Sequence, residues 1–151
     1  AQLVRGADIE RFARLGVGAG IHPEHALDDR EVADAMWAGR TDRAFAYGAL
    51  ARAGVRLYMG SDAPVAPLDP WLSIAAAVFR TRDEEPAWEP HNALSLEHAL
   101  RASWAMGSVG EGNLADVIAV DEDPRDLDAQ KLRAMPVAAT IVAGALVHEA
   151  L

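Results

Sequence analysis

Polar and apolar positions repeat at helical spacing from Asp8 to Leu15, where Ile9, Phe12 and Leu15 share one face and Gly16 stands as a stop. Val17 to Ile21 is short, apolar and glycine-rich, which predicts a buried strand. Asp28-Asp29-Arg30-Glu31 predicts a carboxylate-capped helix start, with Val32, Met36 and Trp37 on one face. Arg43 to Ala53 predicts a helix carrying Phe45 and Leu50 and closed by Gly54. Val55 to Met59 alternates at period two and runs into Gly60-Ser61-Asp62-Ala63-Pro64, a strand ending in a tight polar turn. Asp69-Pro70 opens the next helix, with Leu72, Ala75, Ala76 and Phe79 as its stripe, and Ser95 caps another through Leu96 and Leu100.

This alternation of helix and strand predicts parallel βα units. The last third changes character. Val117 to Val120 and Val137 to Val147 are β-branched runs separated by the turn cluster Asp121-Glu122-Asp123-Pro124, without a full crossover helix between them. A boundary near Gly107 is therefore expected, separating a βα part (residues 1–106) from a small β part (residues 107–151).

Composition narrows the classes. A length of 151 residues is about that of one ordinary domain, and half the chain is apolar, as in soluble globular proteins. No apolar run approaches the ~18 residues of a membrane span. The net charge of −9 argues against nucleic acid and anionic membranes as partners, since phosphate binding needs a basic face. With no cysteine there are no disulfides, thiolate metal sites or cysteine nucleophiles, which fits a cytoplasmic protein. The chain opens Ala1-Gln2-Leu3 without Met, which reads as the edge of a longer protein.

The sharpest local signal is Asp62. A carboxylate at the C-terminal end of a parallel strand lies where α/β barrels place their active sites, and there it can bind a metal or exchange a proton. The competing reading is an Asp that accepts backbone N–H bonds within its turn. His22-Pro23-Glu24-His25 follows the other candidate strand, so both histidines can face the same mouth, although a metal site needs three or four convergent ligands. Arg40 and Arg43 near a helix start can bind a substrate carboxylate, although solvated helix charge is the ordinary explanation. His91, His98 and His148 read as surface or capping residues. Gly16-x-Gly18-x-Gly20 lacks the spacing of a nucleotide loop and reads as small residues packing a crowded strand.

Taken together, these stretches resemble the C-terminal part of a metal-dependent amidohydrolase, of the amidohydrolase-3 type that includes the N-substituted formamide deformylases. Ala1-Gln2-Leu3-Val4 looks like the tail of the family's Glu-His-Ala-Gln strand end, and Ile21-His22-Pro23-Glu24-His25-Ala26 resembles its Gln-Pro-x-His segment after the seventh barrel strand. Ala53 to Leu57 through Gly60-Ser61-Asp62-Ala63-Pro64-Val65 resembles the eighth strand and its Gly-Ser-Asp end. Gly107-Ser108-Val109 to Gly112, then Leu114-Ala115-Asp116-Val117-Ile118-Ala119-Val120-Asp121, is similar to the signature Gly-Ser-Leu-Glu-x-Gly-Lys-x-Ala-Asp. Three positions depart from the pattern: His22 replaces Gln, Asn113 replaces Lys and Gly110 replaces Glu. The family's His-x-His metal pair is absent, and its sixth-strand His would fall just before Ala1.

The resemblance implies an α/β fold: the last βα units of a TIM-type (β/α)8 barrel over 1–106, then terminal strands of a small β-sandwich over 107–151, with Val137 to Val147 as its closing strand. It implies hydrolysis of a non-peptide carbon–nitrogen bond in a small amide or N-acyl substrate. Asp62 would contact the metal and act as acid/base, accepting a proton from metal-activated water, and His25, His22 and Arg40 would line the substrate pocket. The cofactor would be one or two divalent ions, usually zinc, with most ligands outside this chain. The 151 residues alone are expected to be inactive, and a homo-oligomer is compatible with the reading. Two alternatives stand beside it: a non-catalytic α/β binding or assembly module, and a different amidohydrolase branch such as a cyclic amidase or deaminase.

Overall fold

A computed structural model describes residues 2–82, 85–104 and 109–150. The expected boundary at Gly107, the start of the Gly-Ser signature and Ala1 lie outside the described residues.

The first helix, α1 (Gly6–Arg14), ends where Gly16 takes a left-handed φ of 66°. It leads to β1 (Ala19–Ile21) and to two short helices, α2 (Pro23–Asp28) and α3 (Arg30–Met36). Helix α4 (Tyr47–Arg52) closes at Gly54, φ 78°, and feeds β2 (Leu57–Met59). Strands β1 and β2 pair in parallel with Ala19 opposite Leu57 and Ile21 opposite Met59, as the helix–strand alternation predicts. Helices α5 (Pro70–Phe79) and α6 (Leu96–Ser103) follow, and their caps are those read from the sequence. The Asp69 side chain accepts from the Trp71 N–H, and Ser95 Oγ accepts from the His98 N–H. Two parallel strands do not close a barrel, and among the described residues no further strand joins them.

The chain ends in an antiparallel sheet of β3 (Val117–Val120), β4 (Val137–Val142) and β5 (Ala145–Glu149), in that order. Val137 to Val147 is thus a hairpin, not one closing strand. Its turn is Ala143-Gly144, both at positive φ (50° and 80°), the conformation a two-residue hairpin needs. Asp116, from the Ala-Asp signature, fastens that turn: its Oδ1 accepts the Ala143 N–H at 2.7 Å. Between β3 and β4 a one-turn helix, α7 (Ala129–Arg133), packs against α5 and sends Leu132, 1% exposed, into the same core as Tyr47, Trp71 and Ile74.

Two sequence expectations fail for tertiary reasons. Arg43 to Ala53 is not one helix. The chain breaks at Phe45 (φ 49°), because Ala44 bridges to Leu3 and the Phe45 N–H donates to the Gln2 carbonyl at 2.6 Å. The kink buries the Phe45 ring among Trp37, Tyr47 and Trp88, and burying such a side chain is worth about 1.5–3 kcal/mol. Helix α3 also turns differently from its apolar stripe: Val32 and Met36 are exposed while Ala33 is buried. Its Asp34 accepts the Trp88 indole N–H at 2.9 Å, a polar tie that sets the facing, and Asp29, at its N-cap, makes no side-chain capping bond. The packing reading of the glycine run holds only at Gly18, where a Cβ would lie 2.5 Å from the Tyr58 ring; at Gly16 and Gly20 a Cβ would meet nothing within 4 Å. No helix among the described residues is long and apolar enough to cross a membrane.

Candidate functional site

Parallel strands bring their C-terminal ends to one edge. Beyond β1 the chain enters His22, which precedes α2, and Pro23 occupies the first helical position, where a missing N–H costs nothing. Beyond β2 the Gly60 N–H donates to the Ile21 carbonyl at 3.0 Å, extending the pairing past the strands. That bond sets Gly60 beside the His22 imidazole, which a side chain at position 60 would touch at 3.4 Å.

Asp62 stands two residues further on, in a left-handed conformation (φ 60°) that a non-glycine residue adopts at a cost. The backbone-accepting role in this turn falls to Ser61, whose Oγ accepts the Ala63 N–H at 3.3 Å. The Asp62 carboxylate instead meets His25: Nε2 lies 3.2 Å from Oδ2, with the His side chain 13% and the Asp side chain 55% exposed. The His22 and His25 rings meet edge to face, centroids 5.3 Å apart. Nitrogen of each imidazole and oxygen of Asp62 therefore converge within 4.8 Å of one another. Two imidazoles and a carboxylate in that arrangement can hold a transition-metal ion or pass a proton.

The expected residues divide. His22, His25 and Asp62 come together, while Arg40 lies exposed after α3 and its backbone N–H donates to the Trp37 carbonyl. His91 and His98 are tied to local groups, the Asp42 carbonyl and Ser95 Oγ.

Sequence reading missed the supports. Tyr47, 1% exposed, donates its hydroxyl to the His22 carbonyl at 3.0 Å, and burial pushes its phenol well above the ordinary tyrosine value. Glu24, between the two histidines, is buried and receives both Arg133 amines at 2.9 and 3.1 Å and Arg82 at 3.0 Å. Arg82 also pairs with Asp28 at the end of α2. Arg80 is fully buried at the end of α5, donates to the Trp88 carbonyl at 3.0 Å, and lies over the Tyr47 and Trp88 rings. Its desolvation lowers the guanidinium pKa. A run of charge in the sequence does not tell a buried clamp from a solvated face.

A sequence model described as the amidohydrolase family matches residues 1–148. YtcJ of Bacillus subtilis, provisionally named an amidohydrolase, is 29% identical over 164 residues, covering 99% of this chain and 31% of its own. N-substituted formamide deformylase of Arthrobacter pascens is 29% identical over 154 residues, 93% of this chain and 28% of its own. Among solved structures, an uncharacterised metal-dependent hydrolase from Pyrococcus furiosus superposes with a TM-score of 0.56 at 30% identity, over 66% of this chain and 20% of the other. The chain spans less than a third of the length of each of these proteins.

Proposed function

Since the chain belongs to the amidohydrolase family, we propose that it carries part of the active site of a metal-dependent hydrolase for non-peptide C–N bonds. Small amide or N-acyl compounds are the substrate class. One observation carries the reading: the Asp62 carboxylate, just beyond β2, is solvent-reachable and lies 3.2 Å from His25, in the first turn of α2 just beyond β1. Catalytic groups of α/β barrels lie at this edge of the strands. The parallel pair supports reading 1–106 as the last βα units of such a barrel, and the antiparallel sheet supports reading 107–151 as strands of a β-sandwich.

The donor chemistry around Asp62 fits a divalent ion, zinc by the preference of imidazole and carboxylate sites, with Asp62 as the contact from this chain and further ligands from elsewhere in the protein. Such an ion supplies Lewis acidity and a nucleophile at neutral pH. Asp62 accepts the proton released as the water oxygen bonds to the substrate carbonyl carbon. It returns that proton to the leaving nitrogen as the C–N bond breaks, so water is consumed and an acid and an amine are formed. His25 fixes the carboxylate, and His25, His22 and Arg40 line the substrate side. The 151 residues alone are read as inactive.

The test is a panel of N-formyl and N-acyl amines assayed with the zinc-loaded protein that contains this chain. Asp62→Asn is expected to lower kcat by ~10²–10⁴-fold. Undiminished turnover in that variant would overturn the reading.

A further inference from the structure

We propose that Tyr58 and Gly20 set the acyl specificity of the substrate site: the bay they leave beneath the His22 ring takes a straight aliphatic acyl chain. This deepens the hydrolase reading and rests on it. Strands β1 and β2 bury one face, with Ala19, Ile21 and Leu57 at 3%, 1% and 8% exposure in the helical core. Gly20 and Tyr58, opposite each other in the register, belong to the other face, and Tyr58 is 51% exposed there. Residues two apart along a strand share a face. His22 and Gly60 are therefore the next layer on that face, towards Asp62, and Gly18 and Arg56 are the layer below. In a barrel the face turned from the helices is the interior.

Tyr58 does not fill its own layer. Its ring leans to the layer below, where a Cβ on Gly18 would lie 2.5 Å from the ring. The Arg56 guanidinium lies over that ring, 5.1 Å from its centroid, and holds it there. The His22 ring leans across its own layer to Gly60, 3.4 Å from where a Cβ would stand. Between the two rings the surface is Gly20, where a Cβ would meet nothing within 4 Å. Successive layers on one face are ~6.6 Å apart, and Tyr58 leans away from His22. The gap therefore admits one hydrocarbon chain at contact distances of ~3.5–4.0 Å on either side. Glycine inside a strand weakens it and marks a place where another group comes close to the backbone. The orientation follows from the proton path. Asp62, whose side chain is 55% exposed, returns the proton to the leaving nitrogen, so the amine departs past it to solvent. The acyl group extends the other way, down the face of the strand pair and into the bay.

The test uses the metal-loaded protein that contains this chain. Straight-chain carboxylates from formate to hexanoate, the acids that acyl hydrolysis releases, are titrated by calorimetry into the parent, Gly20→Ala and Gly20→Leu. Circular dichroism compares the three folds, and Gly20→Ala adds only a methyl group, into open space. In the parent, Kd is expected to fall as the chain lengthens. Gly20→Ala is expected to weaken hexanoate relative to formate by ~10-fold or more, the worth of one methylene in an apolar pocket. Gly20→Leu is expected to remove the dependence on length. In turnover, kcat/KM across N-acyl derivatives of one amine is expected to follow the same order. Parent Kd values that do not change with chain length, or a Gly20→Ala variant that keeps the parent's ratio, overturn the proposal. So does a Gly20→Ala effect that follows the length of the amine instead of the acyl group. Calorimetry needs no turnover, so undiminished activity of Asp62→Asn overturns the hydrolase reading while the carboxylate series still decides the bay.

Discussion

Glu24 and Arg133 are 109 residues apart in sequence and form a two-point ion pair, Nη1 to Oε1 at 2.9 Å and Nη2 to Oε2 at 3.1 Å. The pair ties α2, which carries His25, to the short helix that leads into the C-terminal sheet. Through it the position of one candidate site residue depends on the last third of the chain.

Glu24 is buried, and its loss would leave Arg133 without its anion and Arg82 with Asp28 alone. Glu24→Gln is expected to destabilise the fold by about 3 kcal/mol, because removing one partner of a buried pair strands the other. Replacing Glu24 and Arg133 together by Leu and Met is expected to recover part of that loss. Urea denaturation of Glu24→Leu, Arg133→Met and the double variant measures the coupling.

Tyr47 makes the fold alkali-sensitive. The ordinary tyrosine value is 10.0, and burial raises Tyr47 above it in the folded protein. The stabilisation is therefore complete below pH 10 and declines as pH rises toward the folded value, since only the unfolded chain ionises there. Tyr47→Phe is expected to flatten the loss of stability above pH 10. It also frees the His22 carbonyl, at a cost of about 1 kcal/mol at neutral pH. Tm recorded against pH for both proteins checks the two effects.

Gly48 lies within α4, where alanine is the better helix former by about 1 kcal/mol. The tertiary contact reverses that sign. A Cβ at position 48 would lie 2.6 Å from the Ala93 carbonyl oxygen, a backbone atom that cannot rotate away. Gly48→Ala is expected to lower stability by about 1–3 kcal/mol, the range for overpacking. Guanidinium unfolding would show it as a lower midpoint with an unchanged slope.

Asp116→Ala removes the acceptor of the Ala143 N–H at the hairpin turn. About 1.5–3 kcal/mol is expected to be lost, the range of a hydrogen bond to a charged group. The effect should be confined to β4 and β5, seen as faster amide exchange there than in α5. This bond also gives the Asp of the signature a structural role: it docks the hairpin.

Where a local rule and the final fold agree, the sequence was enough. Gly16 and Gly54 stop helices because left-handed backbone suits glycine, and Asp69 and Ser95 cap α5 and α6 because their oxygens reach N–H groups two and three residues on. Period-two alternation located β2, and the Gly-Ser-Asp end and the Ala-Asp block pointed to the amidohydrolases. These signals act over a few residues, and nothing distant overrides them.

Tertiary structure decided the rest. Phe45 breaks a helix that its own segment favours, because Leu3 and Gln2 claim the backbone at 44 and 45. Helix α3 shows Val32 and Met36 to solvent because Asp34 is bound to Trp88. Sequence could place an Asp and two His at strand ends, but not within 4.8 Å of one another. Nor could it show that a Glu between those histidines is buried under arginines from α7 and the end of α5. Contacts that span 37 and 109 residues have no signature in spacing. They exist only once the parallel pair has aligned its ends and α7 has packed on α5.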